Sequence, residues 1–162
     1  YRDSALIGAG TVLTAADARA AVAAGARFLV APDTNPEVLA VGAELGVPVV
    51  PGALTPTEIR HAVELGAAAV KVFPVDALGG PAYITSLRGP LPDIPLVVSG
   101  GVTTLQAAQY FDAGVRSVCM GREFLAPAEI AAHDIDAVAA RARRVLAAIA
   151  HSTPVLERRK RL

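Results

Sequence analysis

A unit of helix, glycine and apolar strand recurs along this chain, and it constrains the fold more than any other feature. Ala23-Ala24-Gly25-Ala26, Leu45-Gly46-Val47, Leu65-Gly66-Ala67 and Ala113-Gly114-Val115 each read as a helix ending at a glycine and passing directly into a strand. The first three of these glycines fall about 20 residues apart, near the length of one βα unit in a parallel barrel. The fourth closes a longer unit containing Gly79-Gly80-Pro81 and Arg88-Gly89-Pro90-Leu91-Pro92. Helix starts are punctuated as clearly. Thr55-Pro56-Thr57-Glu58 sets an N-cap, a proline at the first helical position and a capping-box glutamate in order, and Asn35-Pro36-Glu37 does much the same.

Between the helices, Ala5–Ala9, Arg27–Ala31, Val47–Pro51, Ala68–Phe73, Leu96–Ser99 and Ser117–Met120 read as strands. Most are apolar throughout rather than alternating, as expected where helices cover both faces of a parallel sheet. Six units leave an unpaired edge on each side, whereas a closed barrel of this kind has eight strands and about 200 residues or more. The expectation is therefore a (β/α)8 barrel, a TIM barrel, with about two βα units belonging ahead of Tyr1. An open, doubly wound sheet of six strands is the alternative. Residues 1–150 form the expected barrel domain. Residues 151–162 lose periodicity and end in Glu157-Arg158-Arg159-Lys160-Arg161-Leu162, a basic tail of the usual solvated kind, with nucleic-acid binding a weaker reading.

Composition narrows the function. The formal net charge is zero, which gives no reason to expect nucleic acid or an anionic membrane as a partner. No apolar run approaches the roughly 18 residues of a membrane span. The single cysteine, Cys119, excludes an internal disulfide and fits a reducing cytoplasm; its apolar flanks, Val118 and Met120, favour a core position over a nucleophilic one. The histidines His61, His133 and His151 lack ligand spacing to one another or to cysteine or paired carboxylates, so no metal is expected.

Lys71 is the residue out of place. It sits inside the apolar run Ala67-Ala68-Ala69-Val70-Lys71-Val72-Phe73-Pro74, sharing a face with Ala69 and Phe73. A buried ammonium is costly, and a lysine there can lose its proton and become a nucleophile toward carbonyl compounds. The alternative is a packed stem whose head snorkels to water. In barrels the strand ends build the active site, so Gly8-Ala9-Gly10-Thr11, Ala31-Pro32-Asp33, Val50-Pro51-Gly52, Val72-Phe73-Pro74, Ser99-Gly100-Gly101-Val102 and Met120-Gly121-Arg122-Glu123 are the candidate segments. Gly100-Gly101, ahead of a helix expected to open near Thr103 or Thr104, is a candidate anion turn.

Read in order, Gly8-Ala9-Gly10-Thr11-Val12-Leu13, Val50-Pro51-Gly52, Val70-Lys71-Val72-Phe73-Pro74 and Gly100-Gly101-Val102 resemble the 2-keto-3-deoxy-6-phosphogluconate and 4-hydroxy-2-oxoglutarate aldolases. The similarity runs from about Ala5 to Ala150. It implies a (β/α)8 barrel, usually a homotrimer, and a class I aldolase with no metal or separate cofactor, acting on a small keto acid. By the same resemblance Lys71 forms the Schiff base. It also implies that Thr11, Phe73, Ser99, Gly100 and Gly101 contact substrate, with Phe73 and Pro74 making the wall beside the lysine; Pro51, Gly121 and Arg122 are the further substrate-binding candidates. Ser99 stands where the family usually has threonine. The family's general-base glutamate and a neighbouring arginine belong to a strand ahead of Tyr1. Where the family often has Gly-Gly-Ser, this chain has Gly121-Arg122-Glu123, which sets a like charge against a phosphate there. Arg122 could grip phosphate or carboxylate with a bidentate pair, or form a solvent-facing ion pair with Glu123. Asp76 is a further candidate near the site. Two other readings stay open: another phosphate-binding barrel such as an isomerase, epimerase or synthase, and a non-catalytic sugar-acid binder.

Overall fold

The computed structural model describes residues 5–121 and 124–150. The chain divides between Phe73 and Pro74 into two compact units. The helix punctuation is realised as read. Helix α1 (Ala15–Ala23) is capped by a Thr14–Asp17 capping box, and α2 (Pro36–Leu45) by Asn35. In α3 (Pro56–Glu64) Thr55 accepts from the Glu58 N–H while the Glu58 carboxylate reaches back to the cap. Gly25, Gly46, Gly66 and Gly114 all take left-handed φ, which ends a helix at little cost in a residue without a Cβ.

In the first unit the strands β1 (Leu29–Val30), β2 (Val49–Val50), β3 (Gly52–Ala53) and β4 (Val70–Val72) are parallel. Leu29 pairs with Val49, and Gly52 with Lys71. The expected strand over Val47–Pro51 is shifted and interrupted. Pro51 has no N–H for the ladder, so pairing switches there from β1 to β4 and resumes at Gly52. The expected first strand, Ala5–Ala9, keeps one bridge, Ala9 to Leu29, with Arg27 and Val30 N–H groups donating to Ile7 and Ala9 carbonyls. β1 and β4 begin two residues later than the runs Arg27–Ala31 and Ala68–Phe73, whereas the strands from Leu96 and Ser117 begin as expected and stop short of Ser99 and Met120. The core joins Val12, Ala18, Leu29, Val38, Val41 and Val49.

The second unit continues with a 3-10 turn (Asp76–Leu78), α4 (Pro81–Arg88), β5 (Leu96–Val98), α5 (Ala107–Asp112), β6 (Ser117–Val118), α6 (Pro127–Ala131) and α7 (Ile135–Ile149). β5 and β6 are parallel, Val98 opposite Val118. Buried Ile84, Leu87, Leu96, Val98, Tyr110 and Val115 fill this unit. Arg88 straps it together, donating to the carbonyls of Leu91, Pro92, Ile94 and Gly114. No helix among the described residues is long and apolar enough to cross a membrane.

Two expectations are corrected here. Cys119 is exposed rather than core. It follows a two-residue strand whose Ser117 is exposed and Val118 only half-buried, so apolar sequence neighbours do not bury it. The helix after Gly100-Gly101 has its first turn capped at Thr103, whose hydroxyl accepts from Gln106 N–H, but the regular α-helix begins at Ala107 and is six residues long. Arg122, Glu123, His151 and the basic tail lie outside the described residues.

Candidate active site

Lys71 occupies the middle of β4, where its flanks Val70 and Val72 are fully buried. The lysine itself is 8% exposed, the one buried charged residue among those described. Its Nζ lies 4.5 Å from the centre of the Phe73 ring, as expected of residues two apart on one face of a strand. Backbone bonds on both sides fix the strand: Lys71 N–H donates to Pro51 at 2.8 Å, and Phe73 N–H to Ala53 at 3.1 Å. The sequence candidates Lys71, Phe73 and Pro51 are therefore brought together.

Across the ladder from Lys71 stands Gly52, which had to be small. A Cβ built on it would lie 2.0 Å from the Pro32 carbonyl oxygen. Thr34 Oγ1 donates to the Gly52 carbonyl at 2.9 Å, closing the loop after β1 over the end of β3. Beside Phe73 opens a cavity of about 340 Å³, lined also by Asp33, Thr34, Glu58 and His61. Its loops follow β1, β3 and β4, so it sits at the strand ends where barrels place their chemistry. Sequence reading marked Pro32-Asp33 as a strand end but did not connect it with α3. That link depends on where Glu58 and His61 fall on the helix relative to Phe73.

Thr11 closes the segment that pairs with β1, its neighbour Val12 donating to Val30 at 3.1 Å. Its φ is 58°, left-handed, an outlier for a β-branched residue. Strain of this kind persists only where the surrounding structure over-determines the backbone. The β1 and β2–β3 ladders stand between Thr11 and β4.

In the second unit, Ser99, Gly100 and Gly101 follow β5. Both glycines are left-handed, φ 86° and 73°, a backbone that an L side chain resists. Val75 N–H donates to the Ser99 carbonyl at 3.0 Å, and Asp76 N–H to Gly100 at 3.4 Å. The Asp76 carboxylate lies over Gly101, where a Cβ would meet its Cγ at 2.2 Å. Gly121 lies three residues past the end of β6, which closes at Val118 opposite Val98. Gly121 is exposed, and its carbonyl accepts from the N–H groups of Phe124 and Leu125 at 2.9 Å. Among the described residues no cluster of three histidine, cysteine or carboxylate groups is arranged to hold a metal.

The sequence model of KDPG and KHG aldolases matches residues 1–141. The chain belongs to the KDPG and KHG aldolase family. It is 42% identical over 142 residues to the 2-dehydro-3-deoxy-phosphogluconate aldolase of Treponema pallidum, covering 87% of this chain and 67% of that protein. The first three curated relatives are spanned over 67%, 58% and 60% of their own lengths. The native KDPGal structure superposes with a TM-score of 0.81 at 36% identity, covering 92% of this chain and 72% of that one. The KDPG aldolase of Legionella pneumophila, captured with pyruvate as a covalent carbinolamine, superposes at 0.75 with 28% identity, covering 93% and 70%. The fold class is accordingly α/β of the TIM-barrel type, and family membership agrees with the strand-end geometry around Lys71.

Proposed function

We propose that the chain is a class I aldolase cleaving a 2-keto-3-deoxy sugar acid, phosphorylated or not, or 4-hydroxy-2-oxoglutarate to pyruvate and an aldehyde. The observation that carries this reading is Lys71: a buried amine on β4 that lies over the Phe73 ring, a ring that also lines the strand-end cavity. The carbinolamine captured in the Legionella relative supports the same chemistry.

Lys71 Nζ in its neutral form adds to the C2 carbonyl of the keto acid, giving a carbinolamine. Loss of water gives an iminium. The C3–C4 bond then breaks with its electron pair drawn toward the iminium nitrogen, while the C4 hydroxyl loses its proton and leaves as the aldehyde. The remaining enamine takes a proton at C3 to become the pyruvate iminium, and water releases pyruvate and the amine. The covalent bond to Lys71 replaces any separate cofactor.

Thr11 and Pro51 contact the keto acid in this reading, Phe73 and Pro74 wall it, and Ser99 offers a hydroxyl to it. Gly100, Gly101 and Gly121 present backbone to the distal end, with Arg122 as the cation for phosphate or carboxylate. The short α5 adds no helix terminus to that subsite, so the turn amides must act by themselves. Residues 1–150 are the aldolase domain, residues 151–162 an appended basic tail, and the enzyme works as a cytoplasmic homotrimer. A three-chain mass by light scattering tests the assembly.

The chain has two lysines, Lys71 and Lys160, which makes the decisive experiment simple. Borohydride reduction in the presence of pyruvate, followed by peptide mass mapping, should mark Lys71 and spare Lys160. Aldol cleavage without a Lys71 adduct would remove the mechanism.

A further inference from the structure

Gly121 is a glycine that its own surroundings do not require. Its φ is not left-handed, and a Cβ built on it meets nothing within 4 Å among the described residues. The residue is exposed, so the room beside it suits a ligand that needs close backbone approach. Its carbonyl is engaged on the other side, accepting from the Phe124 and Leu125 N–H groups at 2.9 Å and closing a turn. Arg141 on α7 grips that turn. Its Nη1 donates to the Phe124 carbonyl at 2.7 Å and to one oxygen of Glu129, on α6, at 2.7 Å, while Nη2 takes the other oxygen. The two side chains are only 17% and 23% exposed. A two-pronged, charge-assisted pair fixes the direction of the guanidinium, which a single exposed pair does not. The same bonds hold the Glu129 carboxyl below its ordinary 4.5.

We propose that Arg141 is a positioning residue for the phosphate of the substrate: braced by Glu129, it pins the Phe124 carbonyl and so sets the turn that offers the Gly121 backbone to that group. The inference rests on the distal-end role given to Gly121 above. A short exposed turn without an anchor samples several shapes, and a ligand must then order it on binding, which weakens affinity. Arg141 supplies the anchor from a fifteen-residue helix, joining α6, α7 and the chain that leaves the turn. Its charge is already matched by Glu129, so its contribution is geometric rather than an attraction for phosphate.

The test uses the full chain and two half-substrates. Glycerol 3-phosphate stands for the aldehyde half and has no carbonyl to react with Lys71; pyruvate stands for the other half. Arg141→Met keeps the stem and removes the guanidinium. Calorimetric titration should show glycerol 3-phosphate weakened about fivefold, the worth of one ordinary hydrogen bond. The pyruvate concentration that half-saturates reductive trapping should stay within about twofold, inside the scatter of a neutral change. Arg141→Lys should recover less than half of the loss, because an ammonium has no rigid fork to span both partners. Gly121→Ala fills the room beside the backbone without a clash, so it should weaken glycerol 3-phosphate by a similar factor while its urea midpoint holds or rises. Unchanged glycerol 3-phosphate affinity in Arg141→Met or Gly121→Ala, an equal loss for both halves, full rescue by lysine, or no glycerol 3-phosphate binding by the parent would each overturn the proposal. The glycerol 3-phosphate titrations need neither turnover nor a Schiff base, so they decide this point even if pyruvate leaves Lys71 unmarked. If Arg141→Met does not fold, Glu129→Gln loosens the brace and should weaken glycerol 3-phosphate in the same direction; no weakening overturns the idea.

Discussion

Gly52→Ala tests whether close backbone approach, rather than composition, places Lys71. The new Cβ would stand 2.0 Å from the Pro32 oxygen, 2.2 Å from its carbonyl carbon and 2.8 Å from Asp33 N. Ordinary contacts begin near about 3.5 Å, so backbone must separate by more than about 1 Å. Gly52 is not left-handed, hence conformational strain is not the cause and the effect is steric alone. Separation breaks the Gly52 N–H bond to Asp33 at 3.1 Å and the Thr34 hydroxyl bond to Gly52 at 2.9 Å. Each is worth about 1 kcal/mol, and overpacking adds about 1–3 kcal/mol. A loss of about 3–5 kcal/mol follows, a large share of the roughly 5–15 kcal/mol typical of a domain. Urea unfolding measures it, and reductive trapping with pyruvate reports whether Lys71, paired with Gly52, keeps its place. Gly10→Ala is the control, since nothing lies within 4 Å of its Cβ. A Gly52→Ala protein within about 1 kcal/mol of the parent would refute the steric reasoning.

At Thr11, φ 58° reverses the usual order of substitution: Thr11→Gly should be more stable than Thr11→Ala by about 1 kcal/mol in denaturant titrations, while both raise the KM for the keto acid. Thr55→Ala should cost about 1 kcal/mol through the lost cap of α3. Hydrogen bonds from the Thr55 and Leu54 N–H groups hold the Glu58 carboxyl below its ordinary 4.5. A depressed carboxyl stabilises fully above 4.5 and loses that effect as pH falls through its lower folded value, so Glu58→Gln should flatten the stability curve only below about pH 4.5. Arg88→Met, which keeps the stem and removes four carbonyl contacts, should cost about 3 kcal/mol in a half-buried setting, and Arg88→Lys should recover less than half, since an ammonium cannot span that set.

What could be read in the sequence is what depends on neighbours along the chain. The Thr55-Pro56-Glu58 cap and the glycine stops are local, and each appears where its residues place it. Lys71 over Phe73 follows from the two-residue period of a strand. What could not be read depends on coverage from elsewhere. Val118-Cys119-Met120 has the composition of a core strand, but nothing in those residues says whether a helix lies over them, and Cys119 is exposed. The break at Pro51 needs knowledge of both neighbouring ladders, because the missing N–H matters only on the side where a partner waits.

The proposed site residues divide along the same line, unit by unit. On β4 the amine is fixed by regular pairing, with Pro51 and Ala53 carbonyls receiving the N–H groups on either side of it, so its position is insensitive to loop sequence. Gly100 and Gly101 lie past the end of β5, where ladder bonds stop and Asp76 reaches over from its own turn. Substitutions near Gly100–Gly101 should therefore move KM among substrates with different tails while leaving pyruvate trapping at Lys71 intact. A loop substitution there that abolished trapping without unfolding the protein would show that the two halves are not independent, and would count against the register as the source of the lysine's placement.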